Sequence, residues 1–405
     1  MKKIPFSPPD ITEEEIAEVV DTLRSGWITT GPKTKRFEAM ISEYCGVEKT
    51  ICLNSATAGL ELVLRLFDIG PGDEVITTPY TFAATANVII HTGATPVFVD
   101  VKPDQFNIDP DAIARAITHK TKAVIPVDFA GFPCDYKEIY TVLNDKKHVY
   151  HPKPKTLQEL INRPLVLIDA AHSFGSSYNG KKSGNLGDFS VFSFHAVKNL
   201  TTSEGGAITF NAIGDATSDE LYKKLQLLSL HGQSKDAFTK MKAGGWFYDI
   251  AIAGYKYNMT DIAASLGIVQ LKRFNDMQVV RKSLYEKYIS LLSNDSRIIL
   301  PDFNAKDKVY SYHLMPIRIK NADEKMRSSI IEFAAEKNIA LNVHFIPVTM
   351  HPAYTSLGYS ITGTPHAYNS YHNEITLPLY STMTLDDVDC VVSVLHDALE
   401  SILNQ

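Results

Sequence analysis

Asp169 and Lys198 are the residues of this sequence best suited to covalent cofactor chemistry. An apolar run, Leu165 to Ile168, predicts a buried strand that stops at Asp169 and is followed by small residues and His172. A second run, Phe189 to Phe194, delivers Lys198 into a polar, Gly-rich turn. Pyridoxal phosphate requires such a pair: an amine to condense with its aldehyde and an acid to partner its pyridinium nitrogen. A strand-end acid is common in α/β proteins, so the pair takes its weight from what the rest of the chain supplies.

From Lys49 the pattern becomes strand, turn, helix. TICLN predicts a short strand, Ser55-Ala56-Thr57 a turn of small residues, and Ala58 to Phe67 an apolar helix. A helix N-terminus with hydroxyls beside it can take an anion, and small residues let phosphate oxygens approach the backbone. For this turn in isolation, ordinary helix capping by Ser55 or Thr57 is the better reading. EVITTP predicts the next strand, then Tyr80-Thr81-Phe82 and a helix through Ile90. The aromatic there could stack on a cofactor ring or simply fill the core. TPVFVDV, KAVIPVDFAG and LVLIDAA repeat the buried-strand signature. Strands alternating with helices predict an α/β fold with a mostly parallel central sheet flanked by helices. Ligands of such sheets sit beyond the carboxyl ends of the strands, where Ser55, Phe82, Asp169 and Lys198 would converge.

The remaining segments frame this core. Helices are expected over residues 11–24 and 33–44, joined by the loop that begins Gly26-Trp27, which is either a plain connection or a substrate-lining arm. The stretch 135–163, with DKKHVYHPKPK inside it, is polar and predicts a surface insertion. A helix is expected over Asp219 to Leu230, then a mobile Gly-rich piece at Lys242 to Gly245, then a long helix capped by Thr260. Strand 311–319, helix 323–337, strand 340–345 and a closing helix from Thr384 predict a smaller α+β domain. The expected division is a large cofactor-binding domain over 1–285 and a small C-terminal domain over 286–405. His344 and His351 match no helical ligand pair and have no third ligand nearby, so no metal site is expected.

A net charge of −6 and a pI near 6.1 argue against a nucleic-acid partner. The N-terminal lysines have no apolar core behind them, and no run is long enough to span a bilayer. Cys45, Cys52, Cys134 and Cys390 lack paired spacing and read as reduced structural thiols, which predicts a cytoplasmic protein.

With these residues in place, the chain resembles the DegT/DnrJ/EryC1/StrS family of nucleotide-sugar aminotransferases, within the fold-type I pyridoxal phosphate enzymes. The likeness runs through GWITTGPK, NSATAGLEL, GDEVITTPYTFAAT, IDAAHSFG, FSFHAVKNLTTSEGG and GYKYNMTDI. Several of these look like the UDP-4-amino-4-deoxy-L-arabinose/oxoglutarate aminotransferase branch. The resemblance implies that Lys198 binds pyridoxal 5′-phosphate covalently and that Asp169 partners its ring nitrogen. It places His172 near the phenolic oxygen, Phe82 on the ring, and Ala56, Thr57 and Ser193 at the phosphate. Asn258 would serve the phosphate site of a neighbouring subunit, which implies a homodimer with shared active sites. The implied partners are L-glutamate or 2-oxoglutarate and a nucleotide-linked keto sugar, with C4 amination favoured over C3 by the branch. Ala56 stands where many relatives have Gly, and Phe82 where the arabinose branch has Trp. Stretch 135–163 is also untypical and could reshape the entrance. A sugar dehydratase of this family would carry His at the lysine position, and a regulator or sensor on the same fold is the non-enzymatic alternative.

Overall fold

The alternation from Lys49 onward folds into a seven-stranded sheet, seen in a computed structural model that describes residues 2–233 and 247–403. The Gly-rich piece expected at 242–245 lies outside the described residues. The large sheet is built from β1 (Lys49–Leu53), β2 (Glu74–Thr77), β3 (Thr95–Phe98), β4 (Thr121–Ile125) and β5 (Leu165–Asp169). A hairpin of two-residue strands, β6 (Ser177–Tyr178) and β7 (Lys181–Lys182), precedes β8 (Phe189–Ser193) and β9 (Gly206–Phe210). The order across the sheet is β1-β9-β8-β5-β4-β2-β3. Neighbours from β3 to β8 pair in parallel, whereas β9 runs antiparallel to both β8 and β1. The strands read as unbroken apolar runs because helices cover both faces; β4, β5 and β9 are buried at every residue.

Local chemistry sets where the crossover helices start. Ser55 caps helix Ala56–Leu66 by accepting the Ala58 N–H at 3.1 Å, so the helix begins two residues earlier than the apolar pattern suggests. Stretch 135–163 is less of a surface insertion than its composition implies. Its first part is helix Tyr136–Asp145, the crossover between β4 and β5, with Tyr136, Ile139 and Leu143 buried. The remainder is tied down where the Gln158 side chain donates to the Phe67 carbonyl at 2.8 Å and Lys122 Nζ donates to the His151 carbonyl at 2.6 Å. The apolar crossover residues are too widely spaced among lysines and acids to dominate the composition.

The second sheet joins β10 (Ile298–Ile299), β12 (Met315–Ile319) and β13 (Glu374–Leu377) in antiparallel order, while β11 (Lys308–Val309) pairs with β6. The strand expected over 311–319 starts only at Met315, because Ser311 turns aside to bond Gly131 and Tyr312 adopts a left-handed backbone. The strand expected over 340–345 does not form; Asn342 alone bridges Thr376. Side chains take up its polar backbone groups instead. His344 N–H donates to Glu374 Oε2 at 2.9 Å and the Tyr80 hydroxyl donates to the His344 carbonyl at 2.6 Å.

Helix Asp261–Leu292 runs through residue 285, where the domain division was expected. Ala264, Ile268, Leu271, Phe274 and Met277 pack into the core of the large sheet, and Leu284, Tyr288 and Leu292 into that of the small one. Ile4 also belongs to the small core, bridging Ile339. At the start of this helix, Asp261 is buried and caps a different helix, Pro32–Cys45. Its carboxylate accepts the N–H groups of Gly31 (2.8 Å), Lys33 (3.1 Å) and Thr34 (2.9 Å) and the Thr34 hydroxyl (2.7 Å). These are the donors that a helix N-terminus leaves without intrahelical partners. Asp261→Ala is expected to lower unfolding stability by about 3 kcal/mol, since buried donors left unsatisfied cost ~1–3 kcal/mol each and water recovers part of that. Asp261→Asn, which keeps an acceptor, should lose less than half as much. Urea denaturation midpoints of the two variants check both expectations.

Candidate active site

The strand ends open onto one cavity of about 420 Å³. Ser55, Ala56 and Thr57 reach it from the end of β1, Thr81 and Phe82 from beyond β2, Asp169 and His172 from β5, and Ser193 and Lys198 from β8. Because β9 runs antiparallel, its amino end falls on this side too, and Glu204 and Gly205 join the wall. Gly206 permits the close packing of β9 on the turn at Ser55: a Cβ there would stand 2.5 Å from the Ala56 nitrogen. The small sheet and its connections supply the opposite wall through His313, Leu314, His344, Phe345 and Leu377, and the N-terminal segment adds Phe6 and Ser7.

Seven of the eight residues anticipated for the site therefore line one cavity: Ala56, Thr57, Phe82, Asp169, His172, Ser193 and Lys198. Asn258 lies outside it, its amide donating to the Thr30 hydroxyl at 2.6 Å. The loop from Gly26 to Gly31 is pinned by Asp261 and is absent from the lining of this cavity, as is every residue of 135–163. Sequence reasoning missed His313, His344, Phe345 and the N-terminal pair. His344 attracted attention only as a metal ligand. Among the described residues no group of three or more His, Cys, Asp or Glu is arranged to hold a metal.

Asp169 is clamped from both oxygens. The Thr85 hydroxyl donates to Oδ2 at 2.7 Å, and the Ala171 N–H donates to Oδ1 at 3.2 Å. Thr81 and Thr85 share a hydroxyl contact of 2.7 Å, extending the chain of bonds back to the β2 loop. Burial pushes the Asp169 carboxyl above its ordinary range, opposed by Thr85, the Ala171 N–H and the charge of Lys198. Burial likewise pulls the Lys198 amine down to about 8, against the attraction of Asp169. An amine so placed loses its proton far more readily than an exposed lysine, as a nucleophile toward an aldehyde requires.

The histidines are kept neutral. Burial drives His172 and His313 well below the usual imidazole value, with the Lys198 charge adding to the effect on each. Their rings lie 4.5 Å apart between centroids. Asn199 donates its amide N–H to the Ser311 carbonyl at 2.7 Å, which fixes its oxygen toward His313 Nδ1 at 2.9 Å. His313 thus carries its proton on Nδ1. His172 Nδ1 is buried and makes no hydrogen bond among the described residues.

Pyridoxal phosphate fits this donor set. Phe82 leaves 63% of its surface exposed on the cavity wall, an apolar face for an aromatic ring. The N-terminus of helix Ala56–Leu66 offers N–H groups to a phosphate, and the unpartnered nitrogen of His172 awaits a polar group.

Comparison with known proteins bears on what this cavity does. A sequence model described as the DegT/DnrJ/EryC1/StrS aminotransferase family matches residues 9–396. Spr1654 from Streptococcus pneumoniae, assigned as a sugar aminotransferase and solved in a PMP-form, superposes with a TM-score of 0.95 at 48% identity, covering 98% of this chain and 100% of that one. Its PLP-form gives 0.94 at 46%, with 99% and 100% covered. The spore coat polysaccharide biosynthesis protein SpsC of Bacillus subtilis is 41% identical over 98% of this chain and 97% of its own length. Helicobacter pylori PseC, an aminotransferase involved in the biosynthesis of pseudoaminic acid, has a TM-score of 0.87 at 30% identity, with 99% and 100% covered.

The lowered amine has a measurable consequence in the cofactor-stripped protein. Between pH 8 and the ordinary lysine value of 10.5 the unfolded chain holds the Lys198 proton and the folded chain does not, so stability rises with pH there. Below that window the wild type carries the full cost of burying the charge. Lys198→Met should therefore be the more stable protein at neutral pH, with its advantage shrinking as pH climbs from 8 toward 10.5. Thermal denaturation midpoints of the two proteins across that range test the sign.

Proposed function

Because the chain belongs to the DegT/DnrJ/EryC1/StrS aminotransferase family, whose members depend on pyridoxal phosphate, we propose that this sugar aminotransferase moves the amino group of L-glutamate to C4 of a UDP- or dTDP-linked keto sugar. The observation that carries the reading is the presence of Asp169 and Lys198 in one cavity with a helix N-terminus that can accept an anion. The chemistry supplied by bound pyridoxal phosphate is that of an amine carrier and an electron sink.

The residues of the chain do the rest. Lys198 would hold the aldehyde of the cofactor and, as a free amine, would take up the proton from the donor's α-carbon. Its depressed basicity leaves it partly unprotonated near neutral pH, ready to accept that proton. Asp169, held still by Thr85 and the Ala171 N–H, would partner the ring nitrogen and keep a proton on it. Phe82 would cover one ring face, and Ala56, Thr57 and Ser193 would offer N–H and hydroxyl donors to the phosphate. His172 would stand by the phenolic oxygen. Asn258, turned away from its own cavity, serves the phosphate of a neighbouring protomer in a homodimer. SpsC is named for spore coat polysaccharide biosynthesis, which supports a product destined for a surface polysaccharide. The acidic balance and unpaired cysteines favour a cytoplasmic setting for this step.

Incubation with L-glutamate and a panel of UDP- and dTDP-linked 3-keto and 4-keto sugars tests the substrate. Formation of 2-oxoglutarate is expected with 4-keto sugars; activity confined to 3-keto sugars would overturn the C4 assignment. Lys198→Ala should abolish turnover. Asp169→Ala should slow it roughly 10³-fold, about 4 kcal/mol of barrier.

A further inference from the structure

His344 meets the cavity with one nitrogen and the protein interior with the other. Its backbone is immobilised: the N–H donates to Glu374 Oε2 at 2.9 Å, and the carbonyl accepts from the Tyr80 hydroxyl at 2.6 Å. Its ring packs on Phe6, with centroids 5.4 Å apart. Nδ1 lies 3.0 Å from Thr376 Oγ1, which in turn bonds Glu374 Oε1. Thr376 and Glu374 are fully buried on β13. A carboxyl, a hydroxyl and an imidazole thus form a single file ending at Nε2, the nitrogen left for the cavity.

We infer that Glu374 is a positioning residue for the active site, setting through Thr376 which tautomer His344 presents to the substrate. The inference deepens the reading of the cavity as the aminotransferase site. A hydroxyl donates one hydrogen, so the file has two states. When Glu374 is protonated, its proton must sit on Oε1, because Oε2 already accepts the His344 N–H. Oε1–H then donates to Thr376, Thr376 donates to Nδ1, and Nε2 bears a hydrogen that can bond a carboxylate or carbonyl oxygen in the cavity. When Glu374 is ionised, Thr376 donates to Oε1, Nδ1–H donates to Thr376, and Nε2 is bare. Between the two states one proton leaves: Glu374 passes its proton to Thr376, Thr376 passes its own to Nδ1, and Nε2 releases one into the cavity. The file can therefore take up or give back a proton at the cavity surface.

The surroundings put this exchange in a usable range. Burial pushes the Glu374 carboxyl up to about 8, opposed by Thr376, the His344 N–H and the distant charge of Arg327. Arg318, its cross-strand partner on β12, is engaged with Asp104 at 3.2 Å, and Tyr80 is the other titratable neighbour. Burial and the Lys198 charge pull His344 down to about 3, so its ring stays neutral while Glu374 titrates.

The experiment is ¹⁵N NMR of histidine-labelled holoenzyme from about pH 6.5 to about 9.5, where neutral tautomers have distinct ring-nitrogen shifts. His344→Gln identifies the resonances. The wild type should pass from Nε2–H to Nδ1–H with a midpoint near that of Glu374. Glu374→Gln reproduces the protonated pattern, its amide donating to Thr376, and should hold Nε2–H throughout. Thr376→Val should remove the pH response. The glutamate half-reaction and the sugar half-reaction, measured separately against pH, then show which substrate's oxygen meets Nε2–H: that half-reaction loses its alkaline fall-off in Glu374→Gln. One unchanging tautomer in the wild type, or an unaltered transition in Glu374→Gln, would overturn the inference. The NMR result holds whichever sugar the enzyme accepts, so failure of the substrate panel is distinguishable from failure here.

Discussion

A carboxyl and an amine of opposite charge share one cavity, both buried in its wall, and most of the architecture around them exists to make that tolerable. Burial works against the charged form of each, and each supports the charge of the other. Such pairs are costly to desolvate and are retained only where geometry and further hydrogen bonds compensate. Here the compensation comes from Thr85, Thr81 and the Ala171 N–H on the acid side. Among the described residues the amine has no equivalent clamp, which leaves it reactive.

The sheet explains why the two meet. Five neighbouring parallel strands deliver five loops to one edge, and the reversal at β9 adds the amino end of a further strand to the same edge. A parallel sheet alone would have made only half an enclosure. The second wall comes from the small sheet and the connections around it, held in place by specific bonds: the Ser311 hydroxyl to the His172 carbonyl at 2.7 Å and the Arg281 guanidinium to the Leu379 carbonyl at 2.8 Å.

This division also marks what the amino-acid sequence discloses. Asp169, Lys198 and the turn at Ser55 were legible because each terminates a strand whose apolar run is local and unambiguous, and because family motifs surround them. Stretch 135–163 misled because a crossover helix with only three buried residues reads as polar. Strand 340–345 misled for the opposite reason: its pattern suits a strand, but Glu374, Tyr80 and Asn342 take its backbone groups one at a time. His313 and His344 could not be anticipated from spacing. Their environment is made by residues 30 to more than 200 positions away, and no periodicity encodes it.

The 32-residue helix Asp261–Leu292 bears on how substrates enter. At 1.5 Å per residue it is a rod of about 48 Å. One half is embedded in each hydrophobic core, and Arg281 near its middle is itself buried and bonded to the cavity's far wall. A shared beam of this kind resists a clamshell motion, because separating the two walls would bend it or strip apolar side chains from one core. The width of the mouth is thereby built in during folding, and a bulky substrate is admitted or refused by side chains at the rim.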